Sequence, residues 1–298
     1  MNITITGASG LIGRRLLKNL SAAGHSIHAL SRHAGTNLPP GVKLSVWDAE
    51  KGPPPDDSLR DADAVINLAG IPIAQRWSAD VKRHIYESRV AGTRNLVAGI
   101  AKLAKKPQVL VSSSAVGYYG SRGDELLDEN SAPAHDFIAG LCVEWEKEAR
   151  AAESIGVRVV CIRTGIVLDP KGGALKQMLP PFKMGAGGRL GDGRHYMAWI
   201  HAEDIVSLFR FAIDTPTVPR TLNGAAPNPV TNSEFTRVLA ATLHRPAILP
   251  MPAFALNLLF GEMSGILLAS QRVQPNAAES SGFRFRFPEL AAALASLL

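Results

Sequence analysis

The chain has 298 residues, of which 46% are hydrophobic and 19% are charged, and its formal net charge is +6. This composition is typical of a globular protein and excludes a disordered or fibrous chain. The basic balance does not predict a nucleic-acid partner, because the lysines and arginines are scattered and have no interleaved aromatic residues that would stack on bases.

Cysteine content and hydropathy limit the class of protein further. Cys142 and Cys161 are the two cysteines, and both fall in apolar stretches, so neither a disulfide framework nor a metal site is expected. No uninterrupted apolar run reaches membrane-spanning length. A strand pattern begins directly after Met1 and leaves no room for a targeting peptide. We therefore expect a cytoplasmic protein that binds neither a membrane nor a metal.

The first predicted unit is a strand, a glycine-rich turn and a helix. The run Ile3-Thr4-Ile5 leads into TGASGLIG at residues 6–13, and leucines then follow at helical spacing. In a nucleotide-binding unit, Gly7 permits the turn, Gly10 lets the backbone approach a phosphate and Gly13 lets the helix pack on the sheet. The N–H groups that open the helix would face a pyrophosphate. The candidate cofactor residues here are Gly7, Ser9, Gly10, Leu11, Ile12 and Gly13. A glycine turn that is only a tight connection is the alternative.

The second predicted strand, Ser26 to Leu30, ends where such folds read the ribose of adenosine. An acidic residue at this point binds the 2′-hydroxyl group, whereas an arginine binds a 2′-phosphate. Here the strand is followed by Ser31 and Arg32 without an acid, which favours NADP over NAD. The alternative is an arginine in a solvated loop.

The next two predicted strands also end near the expected cofactor. The strand Val42 to Trp47 is followed by Asp48, which either accepts a hydrogen bond from the adenine amino group or is a turn residue. The buried-type strand Asp63 to Leu68 ends at Ala69-Gly70, where the backbone can pass close to a cofactor.

Strands and helices continue to alternate as far as residue 165. Ser78 is the predicted N-cap of a helix, a second helix is expected over His135 to Ile155, and strands are expected at Val109 to Val111 and Val157 to Ile162. This alternation predicts an α/β fold of the Rossmann type, with a doubly wound parallel sheet.

The pattern changes beyond residue 165. Gly185 to Gly193 is either a mobile lid or an irregular surface loop. Trp199 to Asp204 is expected to open a helix, Thr221 to Gly224 is a returning strand, and helices follow from Thr231. We expect a nucleotide-binding domain over residues 1–165, to which 199–226 returns. Residues 166–198 and 227–298 would form a smaller, mainly helical, substrate-side domain.

Several motifs together resemble the extended short-chain dehydrogenases/reductases, the nucleotide-sugar epimerase superfamily. These are TGASGLIG at 6–13, NLAG at 67–70, AGTRNL at 91–96, the serine strand from Ser112 to Gly120, and WIHAED at 199–204. Finer features, among them Leu30-Ser31-Arg32 and the tail from Met251 to Leu298, are similar to the atypical epimerase-family branch. That branch carries a small C-terminal module of unassigned role, which corresponds to 251–298.

The resemblance implies NADP as the cofactor, with Ser31 and Arg32 at its 2′-phosphate. It further implies that Leu68 and Ala69 lie along the ribose and diphosphate, next to Gly70. It also implies contacts from His84 and Arg89, on the helix that faces the cofactor, and from Ser112, in the serine strand. Val167 would contact the nicotinamide amide through its backbone.

The catalytic pair of the superfamily is missing from this sequence. The usual reaction needs a tyrosine, a lysine four residues later on the same helix face, and a serine that polarises the substrate oxygen. The helix that should carry the pair reads HDFIAGLCV at 135–143, and none of the four tyrosines has a lysine at the fourth following position. Ser113 and Ser114 remain as candidates for the substrate carbonyl, or they merely close the strand end. Tyr118 is a candidate proton donor, or its ring only packs.

Two functions are compatible with these features. One is an NADP-dependent oxidoreductase or epimerase that acts on an unidentified small molecule with altered acid/base groups. The other is a non-catalytic NADP-binding sensor or regulator, since some relatives carry a cell-division-inhibitor label. Four residues either neutralise an anionic substrate or lie in solvated loops: Lys176, Lys183, Arg189 and His195. A homodimer would pair through the helices at 90–104 and 135–155.

Overall fold

The computed structural model describes all 298 residues. The strands are β1 Asn2–Thr6, β2 Ser26–Ser31, β3 Lys43–Val46, β4 Ala64–Asn67, β5 Val109–Ala115, β6 Leu126–Leu127, β7 Arg158–Thr164, β8 Ile166–Leu168, β9 Tyr196–Met197, β10 Trp199–His201, β11 Thr221–Gly224, β12 Val230–Thr231 and β13 Arg272–Val273. The α-helices are α1 Leu11–Ala22, α2 Asp56–Leu59, α3 Ala79–Lys102, α4 Phe137–Arg150, α5 Gly173–Lys183, α6 Ala202–Asp214, α7 Asn232–Leu243, α8 Ala253–Phe260, α9 Ser264–Leu268, α10 Asn276–Ser280 and α11 Leu290–Leu297. Short 3₁₀ helices cover Val116–Tyr119, Ala151–Ile155 and Gly261–Met263.

Seven of the strands form one parallel sheet in the order β3-β2-β1-β4-β5-β7-β11. The direction of winding reverses between β1 and β4. Ligands of open α/β sheets bind outside the carboxyl ends of the strands at such a reversal. The predicted doubly wound parallel sheet is therefore confirmed, and it places the candidate cofactor residues at this edge.

Apolar helix faces cover both sides of the sheet. On one side, α1 and α6 contribute buried side chains that include Leu16, Leu20, Ile205 and Phe209. On the other side, α3 and α4 contribute Leu96, Ile100 and Ala149. The transfer of these side chains from water is the main driving force for the assembly. Both cysteines are buried and unpaired, as expected.

The helix starts follow from capping residues. The side chain of Ser78 accepts a hydrogen bond from the N–H of Val81 at 3.2 Å, so the predicted N-cap of α3 is correct. Asp136 accepts from the N–H of Ala139 at 2.9 Å, so α4 begins at Phe137, two residues later than the pattern indicated. No helix of the chain is both long and apolar enough to cross a lipid bilayer.

The prediction that Trp199 to Asp204 opens a helix is wrong for its first half. Trp199–His201 forms β10, which pairs in parallel with β8, and α6 starts at Ala202. A short apolar run fits a buried strand as well as a helix, and here pairing with β8 decides. His201 then caps α6, because its Nδ1 accepts a hydrogen bond from the N–H of Glu203 at 3.0 Å.

A third apolar cluster joins α5, α7 and α11 and completes the mainly helical C-terminal region. Two residues fasten this region to the start of α6. The carboxylate of Asp204 accepts the backbone N–H groups of Arg286 and Phe287 at 2.8 and 3.0 Å. Nε2 of His201 lies 3.2 Å from the hydroxyl of Ser296 in α11. The WIHAED segment therefore holds the C-terminal tail in place.

Candidate cofactor cleft and adjoining cavity

A cleft lies at the carboxyl ends of β1, β2, β3 and β4. Most of its wall is formed by the glycine turn, by the residues after β2 and β3, and by the loop after β4. Eight of the predicted cofactor residues line it: Gly7, Ser9, Gly10, Ser31, Arg32, Leu68, Ala69 and Gly70. Asp48 also lines the cleft, in agreement with either of its predicted roles.

The glycine turn brings the backbone of three segments close together. Gly7 has φ +66°, and a Cβ atom there would lie 2.5 Å from the carbonyl oxygen of Leu68. A Cβ atom on Gly13 would overlap the carbonyl oxygen of Gly7. Helix α1 has Gly10 at its N-cap and no side-chain cap, so its first N–H groups are left for a ligand. This geometry suits a diphosphate at the start of α1.

Thr6 and Asn67 fix the loop after β4, and their positioning role was not predicted from the sequence. The hydroxyl of Thr6 accepts hydrogen bonds from the N–H groups of Leu68 and Ala69 at 3.0 and 3.1 Å and donates to Asn67 at 2.8 Å. The amide of Asn67 donates in turn to Thr93 at 2.8 Å. Thr6 belongs to the TG motif and Asn67 to the NLAG motif, but the sequence does not show what the two side chains do. Their positioning role becomes visible only when β1 pairs with β4.

One cation at the end of β2 is available to a ligand. The Ser31 hydroxyl is 2.7 Å from that of Thr36. Arg32 is exposed at the cleft and forms no salt bridge within the chain. The nearby carboxylate of Asp48 is paired with Lys51 at 3.1 Å and is also attracted by Arg32, whose exposed guanidinium can bind a phosphate.

Arg89 lies behind the cleft rather than in it. Its guanidinium donates to the carbonyl oxygens of Ile71 at 2.9 Å and Ile85 at 3.2 Å, while its Nε is buried without a partner. A Cβ atom on Gly70 would come within 2.9 Å of this guanidinium. Burial lowers the pKa of Arg89 to about 10, so the group stays protonated at neutral pH. In this structure Arg89 supports the loop at Gly70 and Ile71.

The other six predicted cofactor residues do not line the cleft. Leu11, Ile12 and Gly13 form the first turn of α1. Ser112 is buried, and its hydroxyl accepts a hydrogen bond from Asn67 at 3.2 Å. His84 is exposed on α3, 3.8 Å from Glu50, and Val167 lies in β8. Their contacts with a cofactor stay predictions.

A second hollow, the apolar cavity, has a volume of about 550 Å³ and lies beyond the ends of β5 and β7. Eighteen of its 28 lining residues are hydrophobic. The loop after β4 connects the two hollows, because Ile71 and Pro72 line the cleft and Ile73 and Ala74 line the cavity. The C-terminal segment 262–271 supplies one wall of the cavity.

The cavity wall contains no lysine or arginine. Its acidic residues are Asp136 and Glu262, and it also includes His195. His195 is buried, and its Nε2 has no hydrogen-bond partner. Burial lowers the pKa of His195, although nearby Asp192 opposes the shift, so its ring is neutral at pH 7. Of the four residues considered for an anionic substrate, only His195 reaches this wall.

Ser114 belongs to a buried polar network. Its hydroxyl donates to Glu146 at 2.7 Å, and Glu146 receives two hydrogen bonds from Arg163 at 2.8 and 3.0 Å. Arg163 also donates to the hydroxyl of Tyr119 at 3.0 Å, which donates to Asn223 at 2.7 Å. These five groups satisfy one another, as buried polar groups must.

The predicted catalytic residues are not brought together at the cavity. Ser113, Ser114 and Tyr118 are all absent from its wall. The Tyr118 ring packs 3.4 Å from the guanidinium of Arg163 and edge-on to Tyr119. The catalytic roles of these three residues stay predictions. The first turn of α4 instead presents Phe137 and Ile138 to the cavity.

Comparison with known proteins identifies the family. The model of the NAD dependent epimerase/dehydratase family matches residues 3–223, and a domain of unknown function, DUF1731, matches residues 251–297. The chain belongs to the NAD dependent epimerase/dehydratase family. The predicted resemblance to its epimerase-family branch with a C-terminal module is confirmed. The cavity wall at 262–271 comes from the segment that matches DUF1731.

Individual relatives of this epimerase family protein cover its whole length. It is 42% identical over 294 residues to an epimerase family protein of Mycobacterium bovis, covering 98% of this chain and 96% of the relative. The human epimerase family protein SDR39U1 (isoform 2), solved with NADPH, is 34% identical with a TM-score of 0.89, covering 100% of this chain and 99% of the human chain. A nucleoside-diphosphate sugar epimerase of Corynebacterium glutamicum is 34% identical with a TM-score of 0.80, covering 100% of this chain and 58% of that chain.

Proposed function

We propose that the protein binds NADPH in the cleft and works as an NADPH-dependent oxidoreductase on a small molecule held in the apolar cavity. The observation that carries the cofactor is Arg32, an unpaired and exposed guanidinium at the end of β2, where an NAD-specific fold would have an acid. The presence of NADPH in the human relative supports the same choice.

The residues of the cleft fit this cofactor. The N–H groups at the start of α1 would hold the diphosphate, and Ser31 and Arg32 would hold the 2′-phosphate. The loop at 68–70, fixed by Thr6, would lie along the riboses. When bound, NADPH supplies a hydride from its nicotinamide ring.

The cavity would exclude water and position the substrate. Reduction of a carbonyl group consumes one hydride and one proton. The ionisable side chains on the cavity wall are Asp136, His195, Tyr196 and Glu262. An acid/base function would therefore come from these residues rather than from a Tyr-Lys pair.

A second candidate is a non-catalytic NADPH sensor. One observation favours it: Ser114, which corresponds to the serine strand of the superfamily, donates its hydrogen bond to Glu146 and is not free to bind a substrate. Steady oxidation of NADPH with any member of a carbonyl or nucleotide-sugar panel would support the oxidoreductase. Tight NADPH binding without turnover on the whole panel would support the sensor.

The first test is calorimetric titration of cofactor-stripped protein with NADPH and NADH. We expect a preference for NADPH of at least about tenfold, because a charge-assisted contact contributes roughly 1.5–3 kcal/mol. Arg32→Gln should weaken NADPH binding by about 10- to 100-fold and leave NADH binding unchanged. Arg60→Gln removes the same charge from an exposed position outside the cleft and should change neither. Equal affinities of the wild-type protein for both cofactors would contradict the proposal.

A further inference from the structure

The apolar cavity has the size and lining of a site for a compact organic molecule. Its volume of about 550 Å³ falls within the range of roughly 300–1,000 Å³ that is common for small-ligand pockets. Trp77 and Phe137 form one side, with ring centroids 5.5 Å apart. Met263, Ile266 and Leu267 of the C-terminal segment form another side. These surfaces favour a ligand that leaves water for an apolar environment.

The charges around the cavity oppose a diphosphate. Asp136 and Glu262 line the wall, and no lysine or arginine does. Two cations outside the lining lie against its rings: Lys82, 5.8 Å from the Trp77 ring and 5.2 Å from the Phe137 ring, is paired with Glu262, and Arg272 lies 5.0 Å from the Tyr196 ring. A buried phosphate needs a compensating cation. The family's nucleoside-diphosphate sugars are therefore poor ligands for this wall.

Most polar side chains of the wall are already bonded within the protein. Gln271 donates to the carbonyl oxygen of Val116 at 3.1 Å, Ser121 accepts from the N–H of Ser270 at 3.0 Å, and Asp136 caps α4. The exceptions are Tyr196, whose hydroxyl makes no hydrogen bond within the chain, and His195, which is 92% buried and makes none through either ring nitrogen. An unpaired nitrogen in an apolar wall is unfavourable until a ligand supplies the missing hydrogen bond.

We infer that the apolar cavity binds an uncharged aromatic or alicyclic molecule whose single oxygen hydrogen-bonds to His195, and that the C-terminal segment 262–271 selects this ligand class. The inference deepens the proposed function, because it names the substrate class of the same site. It also gives a role to the segment that matches DUF1731, namely that of an apolar wall.

The test compares ligands that differ in one feature. The full chain, loaded with NADPH, is titrated with 2-acetylnaphthalene, with 2-ethylnaphthalene, which has the same ring system and no oxygen, and with UDP-glucose. Calorimetry reports all three titrations. We expect 2-acetylnaphthalene to bind about tenfold more tightly than 2-ethylnaphthalene, and UDP-glucose not to bind. Binding of UDP-glucose without binding of either naphthalene would overturn the inference.

Variants locate the site. His195→Phe should remove the preference for the acetyl compound without weakening the ethyl compound, and His195→Gln should restore part of the preference. Ile266→Glu adds a carboxylate to a partly exposed wall residue and should weaken both naphthalenes by about tenfold. Leu259→Glu makes the same change on exposed α8, outside the cavity, and should have no effect. An unchanged acetyl preference in a folded His195→Phe protein would contradict the role of His195.

Failure of the inference can be told apart from failure of the proposed function. The same naphthalene titrations are repeated on the cofactor-free chain, while NADPH binding is measured separately for each variant. Naphthalene binding in a protein that does not bind NADPH would remove the proposed function and support the inference. Reduction of NADP⁺ to NADPH that depends on UDP-glucose, in which a sugar hydroxyl group is oxidised and supplies the hydride and a proton, would support the function and overturn the inference.

Discussion

The cofactor cleft and the apolar cavity are neighbours, but they are built in different ways. The cleft uses short local segments, chiefly the turn at 6–13, the residues after β2 and the loop at 68–72, and it presents many backbone groups. The cavity collects side chains from segments that extend from Ile73 to Gln271, and it presents mainly apolar surface.

The two regions differ in which features expected of the family they contain. The glycine turn of the cleft has the close backbone approach that a dinucleotide requires. At the cavity, the helix that should carry the catalytic pair offers Phe137 and Ile138, and Ser114 is bonded to Glu146. The cleft thus keeps the glycine geometry of a dinucleotide site, whereas the cavity wall contains no lysine that could pair with a tyrosine.

The largest effect is expected from the buried polar network that contains Ser114, Glu146 and Arg163. Glu146→Ala leaves the buried Arg163 without its carboxylate partner and should lower the free energy of unfolding by about 3–5 kcal/mol. Urea denaturation measures this loss. Glu148→Ala, on the same helix, breaks a more exposed pair with Arg94 and should cost less than about 1 kcal/mol. Similar losses in both variants would show that the buried network contributes no more to stability than a more exposed ion pair does.

The attachment of α11 to the start of α6 should be sensitive to acid. Burial, the largest cause, lowers the pKa of His201 to about 4, and neutral His201 caps α6 and contacts Ser296. The unfolded chain takes up this proton below about pH 6.5, so stability is lost as the pH falls from 6.5 towards 4, by on the order of 3 kcal/mol. Urea denaturation across this range should show a smaller loss for His201→Gln than for the wild-type protein. The exposed variant His84→Gln should follow the wild-type curve, and a His201→Gln curve parallel to the wild type would refute this role.

The cleft alone is tested by Gly7→Ala. The added Cβ atom meets the carbonyl oxygen of Leu68 at a backbone conformation that alanine disfavours, so we expect a loss of about 2 kcal/mol in stability. NADPH affinity should fall by more than about tenfold, whereas binding of 2-acetylnaphthalene in the cavity should persist. Gly140→Ala has open space around it on α4 and should be neutral or slightly stabilising. Equal loss of both ligands in Gly7→Ala would mean that the two hollows do not act separately.

The smallest effect distinguishes a structural serine from a catalytic one. Ser114→Ala removes one buried hydrogen bond to the Glu146 carboxylate and should lower stability by about 1.5 kcal/mol without changing the rate of NADPH oxidation. Ser113→Ala is the matched variant on the same strand. A loss of turnover in Ser114→Ala with unchanged stability would restore its predicted catalytic role.

Much of the cleft was predictable, because its features are local. A β-branched run, glycines at fixed positions and a leucine stripe define β1, the turn and α1 within about twenty residues. The alternation of strand and helix patterns predicted the parallel sheet, and the choice of NADP from Ser31 and Arg32 agrees with the human relative solved with NADPH. The starting residue of α4 and the strand at Trp199–His201 were missed, because a cap and a pairing with β8 decide them.

The sequence by itself determined the nucleotide-binding unit, the family and the absence of the catalytic pair, because each depends on residues that are close along the chain. Only the tertiary structure decided the apolar cavity and the buried network. Tyr119 bonds to Asn223 across 104 positions, and Gln271 reaches Val116 across 155. Such contacts leave no local period or spacing in the sequence, since packing of the whole chain selects them.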